Sequence, residues 1–167
     1  MYPILIPVEG KMCLVIGAGN VAQRRIRALT EAGAAVVAAA PEQEPEALRE
    51  LDVTYLRTLY TPALLKQYPA ALVFAATNDP AQNEQIVADA QAAGIMASSV
   101  TPCTDCTPDF SVPAQRRWGS VAVTASTDGG APGLSSAICR EMEHELADYA
   151  AICEPLETVS YTHLRAH

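Results

Sequence analysis

The stretch KMCLVIGAGNVA, residues 11–22, decides the fold because it joins an apolar segment to a glycine-rich turn. Residues 11–16 are apolar enough for a buried strand, and Gly17, Gly19 and Ala22 then give the pattern G-x-G-x-x-A. The first glycine permits a tight turn, the second lets the backbone approach a pyrophosphate, and the small third residue lets a helix pack closely on the strand. The stretch therefore predicts a strand, a dinucleotide-binding turn and a helix. Its alternative interpretation is an ordinary glycine-rich connection.

Alternating strands and helices extend outward from this turn. The opening segment, residues 1–11, is predicted to form a short strand and a turn. Buried strands and amphipathic helices then alternate up to residue 100, which predicts an α/β fold with a Rossmann-like parallel sheet and crossover helices. The further strands are predicted at 34–40, 52–56, 71–77 and 95–100. The helices are predicted at 21–32, 42–51 and 61–68, and within residues 78–94, where a turn precedes the helix and Gly94 ends it.

Composition narrows the function classes. The 167 residues suit one compact domain with a small appendage, and half of them are hydrophobic. A formal charge of −8 disfavours nucleic acid and anionic membrane surfaces as partners, so an anionic substrate would need local basic clusters such as Arg116 with Arg117.

No apolar run is long enough to span a membrane and no signal peptide opens the chain, so a cytoplasmic location is expected. Five cysteines, an odd number, argue against a disulfide framework.

The segment TPCTDCTPDF, residues 101–110, follows the fifth predicted strand and is expected to lie over the mouth where cofactor and substrate meet. Asp105 and Asp109 are its candidate proton acceptors, although a free aspartate is a poor base unless burial raises its pKa. Asp105 is favoured because it lies in the middle of the loop, whereas Asp109 can instead brace the next segment. Cys103 and Cys106 have the spacing of half a metal site, but no second pair stands nearby, so no metal is predicted and a metal or redox device stays the alternative.

After this loop, a strand is predicted at 119–127 and a long amphipathic helix at 132–153. The helix carries an apolar stripe, and two interpretations of it stay open. The stripe either packs on its own domain or forms part of a dimer interface. Its residues are Leu134, Ile138, Met142, Leu146 and Tyr149.

The choice between NAD and NADP depends on the end of the second predicted strand. An acid at this position reads the ribose hydroxyls of NAD, whereas a basic residue accommodates the 2′-phosphate of NADP. The strand ends in alanines, and the first acid is Glu42, directly after Pro41. No basic residue stands there, so the sequence favours NAD.

Several segments together resemble the precorrin-2 dehydrogenases, the N-terminal domain family of siroheme synthases. The resemblance covers residues 2 to about 150, and its order and spacing are more specific than those of a plain Rossmann dehydrogenase. It rests on YPILIPVEGKMCLVIGAGNVAQRRIRALTEAGAAVVAAAPE, VFAATNDPAQNEQIVADAQAAGI, FSVPAQRRWGSVAVTAST and the GGAP turn.

The resemblance implies a homodimer that oxidises precorrin-2, a tetrapyrrole, to sirohydrochlorin with NAD, and that in some members also inserts ferrous iron. Arg116 and Arg117 are expected to receive the carboxylates of this substrate, the alternative being a solvated pair. The residues that the resemblance assigns to the cofactor are Gly17, Gly19, Asn20 and Val21 at the dinucleotide, Pro41 and Glu42 near its ribose, and Thr77 and Asn78 beside the nicotinamide.

This chain departs from the family pattern at two positions. The family has an aspartate just after the fifth strand, where this chain has Thr101, and a serine in the later turn, where it has Ala131. Asp105 or Asp109 would then have to take the proton. The rival hypotheses are a non-catalytic dinucleotide- or metal-tetrapyrrole-binding module, and a dehydrogenase for another small substrate.

The predicted organisation has three parts. Residues 1–113 form the NAD-binding domain, and residues 114–158 form a dimerisation and substrate-side segment. Residues 159–167, VSYTHLRAH, match no family feature and resemble a translated sequencing adapter, so the genuine chain is expected to be truncated near residue 158.

Overall fold

The structure, a computed structural model, describes residues 2–118, 121–143 and 145. Its centre is a sheet of parallel strands with the order β3-β2-β1-β4-β5, which confirms the predicted α/β Rossmann-like fold. The strands are β1 (Met12–Ile16), β2 (Ala35–Ala40), β3 (Val53–Arg57), β4 (Leu72–Ala75) and β5 (Met96–Ser99).

The strand order positions a crevice at the carboxyl end of β1. The chain moves outward from β1 to β2 and β3, then returns to add β4 and β5 on the other side. Ile16, the last residue of β1, is in register with Ala39 on one side and Ala75 on the other. The strands therefore end together, and the loops that follow β1 and β4 diverge at the point where open α/β sheets bind ligands.

Three helices cover the sheet: α1 (Asn20–Glu31), α2 (Ala63–Gln67) and α3 (Pro80–Ala92). α1 buries Ala22, Ile26 and Leu29. α3 begins where sequence signals place it, because Asp79 caps its first turn and Pro80 is tolerated as the first helical residue. Strand and helix side chains together form one core, which includes Leu14, Ile16, Val37, Val73, Ile86 and Val87.

Two predicted elements are wrong. The helix predicted at 42–51 is only a short 3-10 turn, Glu46–Leu48, because Pro45 is extended and disfavours helical geometry in the residue before it. Residues 2–7 form no strand, and the turn at residues 9–10 follows directly. Pro3 and Pro7 lack the N–H groups that a paired strand donates.

A second compact unit begins at Val112. It contains an antiparallel hairpin of β6 (Ala114–Trp118) and β7 (Val121–Ala125), followed by helix α4 over residues 132–143. β7 lies within the predicted strand at 119–127, whereas β6 was not predicted because its sequence, AQRRW, is mostly polar. The rest of the predicted helix, including Leu146, Tyr149 and Cys153, falls outside the described residues.

The first compact unit spans residues 2–111. The functional boundaries at 113 and 158 stay predictions, and the tail at 159–167 lies outside the described residues. None of the helices in the described ranges is long and apolar enough to cross a membrane.

Candidate functional site

A cavity of about 210 Å³ opens at the carboxyl ends of β1, β2 and β4. Each of these strands contributes the loop that follows it, as the strand order requires. Six of the eight residues predicted to bind the cofactor line this cavity, namely Gly17, Gly19, Pro41, Glu42, Thr77 and Asn78.

The two glycines serve different purposes. Gly17 has a φ of +123°, and a Cβ there would lie 2.6 Å from the carbonyl carbon of Ala76, so the chain after β1 can pass the end of β4 only without a side chain. Gly19 has an ordinary φ of −69°, and a Cβ there would meet only the Asn78 Oδ1, at 3.9 Å. The space above Gly19 is therefore open, as a bound pyrophosphate needs.

The start of α1 completes this anion-binding turn. Gly19 is the N-cap residue and supplies no side-chain hydrogen bond, so the first N–H groups of the helix remain available. Asn20 and Val21 begin the helix beside the cavity but do not line it. This combination of an open glycine and an uncapped helix start fits the diphosphate of a dinucleotide.

The loops after β2 and β3 form the opposite wall. Glu42 lines the cavity, and the hydroxyl of Tyr55 donates to the Glu42 carbonyl at 3.1 Å. Arg57, at the end of β3, donates from Nε to the Pro41 carbonyl at 3.4 Å, so a basic residue does lie near this wall although it does not line the cavity. Sequence reasoning missed Arg57 because only the pairing of β2 with β3 brings it there.

Three further lining residues, Thr58, Leu59 and Tyr60, follow β3 and were not predicted. Burial raises the pKa of Tyr60, and the hydrogen bond from its hydroxyl to Asp89 at 3.0 Å acts in the same direction. The phenol therefore stays protonated near neutral pH. The signal that would have identified these residues is the parallel sheet itself, since the ends of neighbouring strands share one edge.

The ends of β4 and β5 are joined by one buried amide. The side-chain oxygen of Asn83, a fully buried residue of α3, accepts from the Thr77 N–H at 2.9 Å and from the Thr77 hydroxyl at 2.7 Å. Its side-chain nitrogen donates to the Thr77 carbonyl at 3.1 Å and to the Thr101 hydroxyl at 3.0 Å. Thr77, beside the predicted nicotinamide position, is therefore fixed by a side chain whose hydrogen-bonding capacity is fully used.

The loop at 101–110 lies along α3 and the outer edge of β5 rather than along the cavity, which corrects its predicted position over the mouth. Gln91 of α3 donates to the Thr107 carbonyl at 2.8 Å. Farther along the loop, the Asp109 carboxylate accepts from the Ala97 N–H at 2.8 Å, and the Asp109 N–H donates to the Ala97 carbonyl at 2.9 Å. Asp109 thus braces the edge of β5. Asp105 is exposed, and neither aspartate lines the cavity.

The acid that does line the cavity is Asp79, which sequence reasoning did not propose. One of its carboxylate oxygens accepts from the N–H groups of Ala81 at 3.0 Å and Gln82 at 3.3 Å. The sequence N-D-P before a helix signals this capping role, but its position at the end of β4 also places a carboxylate beside Thr77 and Asn78.

The two loop cysteines lie close to Glu84 at the side of the core. The Glu84 Oε1 accepts from the N–H groups of Thr104 at 2.7 Å, Cys106 at 3.3 Å and Asp105. These bonds, that from Asp105 above all, lower the pKa of Glu84. Burial above all, together with neighbouring Cys103, raises the pKa of the Cys106 thiol to about 11. Cys103 and Cys106 are free thiols, as are the buried Cys13 and Cys139.

The structure separates the two predicted substrate arginines. Arg116 and Arg117 are consecutive in β6, so their side chains leave opposite faces of the hairpin. Arg116 pairs with Glu143 of α4, with 3.4 Å between Nε and Oε2, whereas Arg117 is exposed. The two therefore cannot act as one bidentate pair on a single carboxylate.

Helix α1 carries three arginines, Arg24, Arg25 and Arg27, and Arg25 packs against an aromatic ring. The Arg25 guanidinium lies over the Phe74 ring, 5.8 Å from its centroid, and burial lowers the pKa of Arg25 to about 10. Phe110 contacts the same ring edge-on, with 5.4 Å between centroids. Arg25 is thus a packing residue of this helix rather than a solvated charge.

Comparisons with known proteins agree with this geometry. A family described as "Putative NAD(P)-binding" matches residues 4–114. The siroheme synthase of Methylobacillus flagellatus is 33% identical over 144 residues, which are 84% of this chain and 30% of that protein. The siroheme synthase of Ectopseudomonas mendocina is 38% identical over 144 residues, with the same coverage of 84% and 30%.

Among solved structures, that of SirC, precorrin-2 dehydrogenase, superposes with a TM-score of 0.69 and 25% identity. The match covers 87% of this chain and 71% of that one. Against the siroheme synthases, in contrast, this chain spans about 30% of the length of its relatives.

Proposed function

Because the chain belongs to the NAD(P)-binding family found at the N-terminus of siroheme synthases and in precorrin-2 dehydrogenase, we propose that it oxidises precorrin-2 to sirohydrochlorin with NAD. The resemblance found in the sequence is thus confirmed at the level of the family. The observation that carries the proposal is the cavity above Gly19, which opens beside an uncapped helix start at the switch point of the sheet. A non-catalytic module is not favoured by these relatives.

The cofactor is a nicotinamide dinucleotide, as the family description states, and the cavity wall favours NAD over NADP. Glu42 lines the cavity where the ribose of a bound dinucleotide would lie, and a carboxylate there would accept hydrogen bonds from ribose hydroxyls and repel a 2′-phosphate. Arg57 opposes this preference, but its Nε is directed to the Pro41 carbonyl. We expect NAD to bind more tightly than NADP, and Glu42→Ala to narrow the difference.

The reaction removes two hydrogens from the tetrapyrrole, one as a hydride and one as a proton. Bound NAD would accept the hydride. Thr77 and Asn78 would orient the nicotinamide end, since Asn83 fixes Thr77 at the cavity wall. Two acids are the proposed proton acceptors: Asp79, which lines the cavity, and Asp105, which lies on the loop outside it and has no hydrogen bond to its carboxylate among the described residues. Asp109 is engaged with Ala97.

Arg117 is the better candidate to receive a substrate carboxylate. It is exposed on β6, while the neighbouring Arg116 is engaged with Glu143. A free guanidinium can bind a carboxylate with two hydrogen bonds. Arg117→Ala is therefore expected to raise the KM for the tetrapyrrole more than Arg116→Ala does, and neither change should alter NAD affinity.

The decisive experiment is NADH formation from precorrin-2 by the 167-residue chain, with NAD affinity measured separately by calorimetry. Whichever of Asp105 and Asp79 takes the proton, its change to Asn is expected to lower kcat at least tenfold at unchanged NAD affinity, because an amide cannot take the proton. Asp109→Asn is expected to retain activity, and Asp79→Asn tests the acid that lines the cavity.

Three results would change these assignments. Loss of activity in Asp79→Asn alone would move the proton acceptor to the cavity wall. NAD binding without any NADH formation would favour the binding module, and no NAD binding would reject the proposal. Ferrous iron insertion is a second activity to test, by the absorbance change from sirohydrochlorin to siroheme. Thr101, which stands in place of the family's aspartate and whose hydroxyl accepts from Asn83, is the residue on which this activity depends.

The assembly is proposed to be a homodimer formed through α4. Leu134, Ile138 and Met142 lie four residues apart along this helix, and their exposed fractions are 55%, 43% and 39%. An apolar stripe of this kind is typical of a helix that packs against a partner. A reducing compartment such as the cytoplasm suits the free thiols of the described chain.

A further inference from the structure

Three side chains converge at a point that the dehydrogenase site does not use. They are Glu84, in the first half of α3, and Cys103 and Cys106 in the following loop. Their possible ligand atoms, one carboxylate oxygen and two sulfurs, all lie within 4.8 Å of one another. All three residues are half-buried, and none of them lines the dinucleotide cavity. The cluster is therefore a separate feature of the fold.

The local backbone holds this arrangement. Glu84 Oε1 accepts from three consecutive N–H groups, those of residues 104–106, so the loop wraps around one carboxylate oxygen. The other oxygen of Glu84 makes no hydrogen bond within the described chain and is available as a ligand. Cys103 and Cys106 pack against the hydrophobic core, which restricts their positions. The three donors are thus positioned by the fold rather than by chance contact of mobile surface groups.

The chemistry of the donors indicates their ligand. Two thiolates and a carboxylate suit a thiophilic divalent cation, and Zn²⁺ binds both donor types in tetrahedral sites. Zinc–sulfur bonds of about 2.3 Å in such a site place the two sulfurs about 3.8 Å apart. Small side-chain rotations would bring donors that already lie within 4.8 Å to this separation. Three protein ligands leave the fourth position for water.

Charge supports the same conclusion. In the metal-binding state the cluster carries three negative charges, and Asp105 adds a fourth between the two cysteines. Within residues 2–118 and 121–143, no lysine or arginine forms an ion pair with Glu84. A divalent cation is the group that would offset this concentration of negative charge.

We propose that Glu84, Cys103 and Cys106 form a binding site for one Zn²⁺-class ion. The ion ties the loop at 101–110 to α3, next to Asn83 and the ends of β4 and β5. Because Asp105 lies between two of the ligands, the bound ion also fixes the backbone that carries it. The ion takes no part in hydride transfer, so the site stands independently of the proposed dehydrogenase activity.

The test is a titration of the reduced, metal-free chain with Co²⁺, followed by competition with Zn²⁺. Thiolate ligation gives a sulfur-to-cobalt charge-transfer band, which is expected to saturate at one ion per chain and to disappear when Zn²⁺ is added. Zinc in excess of its Kd is also expected to raise the Tm, by roughly 5 °C at a hundredfold excess. Neither readout depends on NAD or on the tetrapyrrole.

Variants distinguish the three ligands. Cys103→Ser and Cys106→Ser are each expected to abolish the charge-transfer band. Glu84→Gln keeps a carbonyl oxygen for the loop N–H groups but loses the charge, and it is expected to weaken zinc binding at least tenfold. Cys13→Ala, which removes a thiol that is buried in the core, is the matched control and is expected to leave one ion per chain.

Several outcomes would overturn the proposal. They are the absence of the band in the reduced chain, its persistence in both loop cysteine variants, or its equal loss in Cys13→Ala. Unchanged zinc affinity in Glu84→Gln would remove Glu84 from the site. A Cys103–Cys106 disulfide that forms in preference to zinc under cytosolic thiol conditions would show that the pair is a redox couple instead.

Discussion

At the residue scale, the two glycines of the turn show how one motif combines a requirement of the fold with a requirement of the ligand. Gly17 is needed because the end of β4 leaves no room for a side chain, whereas Gly19 faces open space. Both positions could be predicted from the sequence, since the steric demands of a strand-turn-helix connection are local. The sequence also predicted their separate roles, but not that Ala76, a residue distant in sequence, is what excludes a side chain at Gly17.

Substitutions at the two glycines should therefore affect different properties, namely stability at Gly17 and NAD binding at Gly19. Gly17→Ala is expected to lower the free energy of unfolding by roughly 2 kcal/mol or more, from a strained φ and from contact with the Ala76 backbone. Gly19→Val is expected to leave stability unchanged but to weaken NAD binding at least tenfold, about 1.4 kcal/mol. Denaturant unfolding and calorimetry measure the two effects. Equal NAD affinity in Gly19→Val would remove the phosphate from this position.

For other residues the sequence left alternatives that the structure separates. Asp109 was a candidate proton acceptor, but its carboxylate pairs with the Ala97 N–H. The two arginines of β6 were treated as a pair, although the strand directs them to opposite faces. In each case the missing information was the path of a segment without a clear periodic pattern.

At the scale of elements, α3 connects the ends of two strands through Asn83. Its side chain makes four hydrogen bonds to Thr77 and Thr101, and it is fully buried. The sequence predicted α3 as one of the helices that alternate with the strands, but it gave no reason to single out a polar residue on its buried face. Conversely, the helix predicted at 42–51 does not form, because Pro45 interrupts it.

Removal of the Asn83 amide should destabilise the first unit. Asn83→Ala leaves the half-buried Thr77 N–H without its side-chain partner, and the expected loss is about 1–3 kcal/mol in the free energy of unfolding. Gln85→Ala, on the exposed face of the same helix, is the matched control and should cost less than about 0.5 kcal/mol. Because Thr77 lines the cavity, NAD affinity should also fall in Asn83→Ala. A loss no larger than that of Gln85→Ala would show that water replaces the amide.

At the scale of the whole molecule, α4 presents a surface that the described chain leaves uncovered. Ser135 and Cys139 are buried on one side of the helix, and Leu134, Ile138 and Met142 are exposed on another. The sequence predicted the stripe but left open whether it packs on its own domain or on a partner. The exposure of these three residues favours a partner.

Charge on the stripe should weaken self-association. Ile138→Glu places a carboxylate where an apolar contact is expected, and the dimer dissociation constant should rise at least tenfold in sedimentation equilibrium. Ser136→Glu adds the same charge to the same helix away from the stripe and should leave the constant unchanged. If both variants associate as the parent chain does, α4 is not the interface.

The pairing between Asp109 and Ala97 has a consequence for the behaviour of the chain in a crowded cell. β5 is an outer strand of the sheet, and the exposed edge of such a strand can template pairing with a strand of another molecule. Asp109 occupies both hydrogen-bonding groups of Ala97, one with its carboxylate and one with its own N–H. Pro108, the residue before it, has no N–H group to offer to an incoming strand. The loop thus protects the sheet against edge-to-edge aggregation.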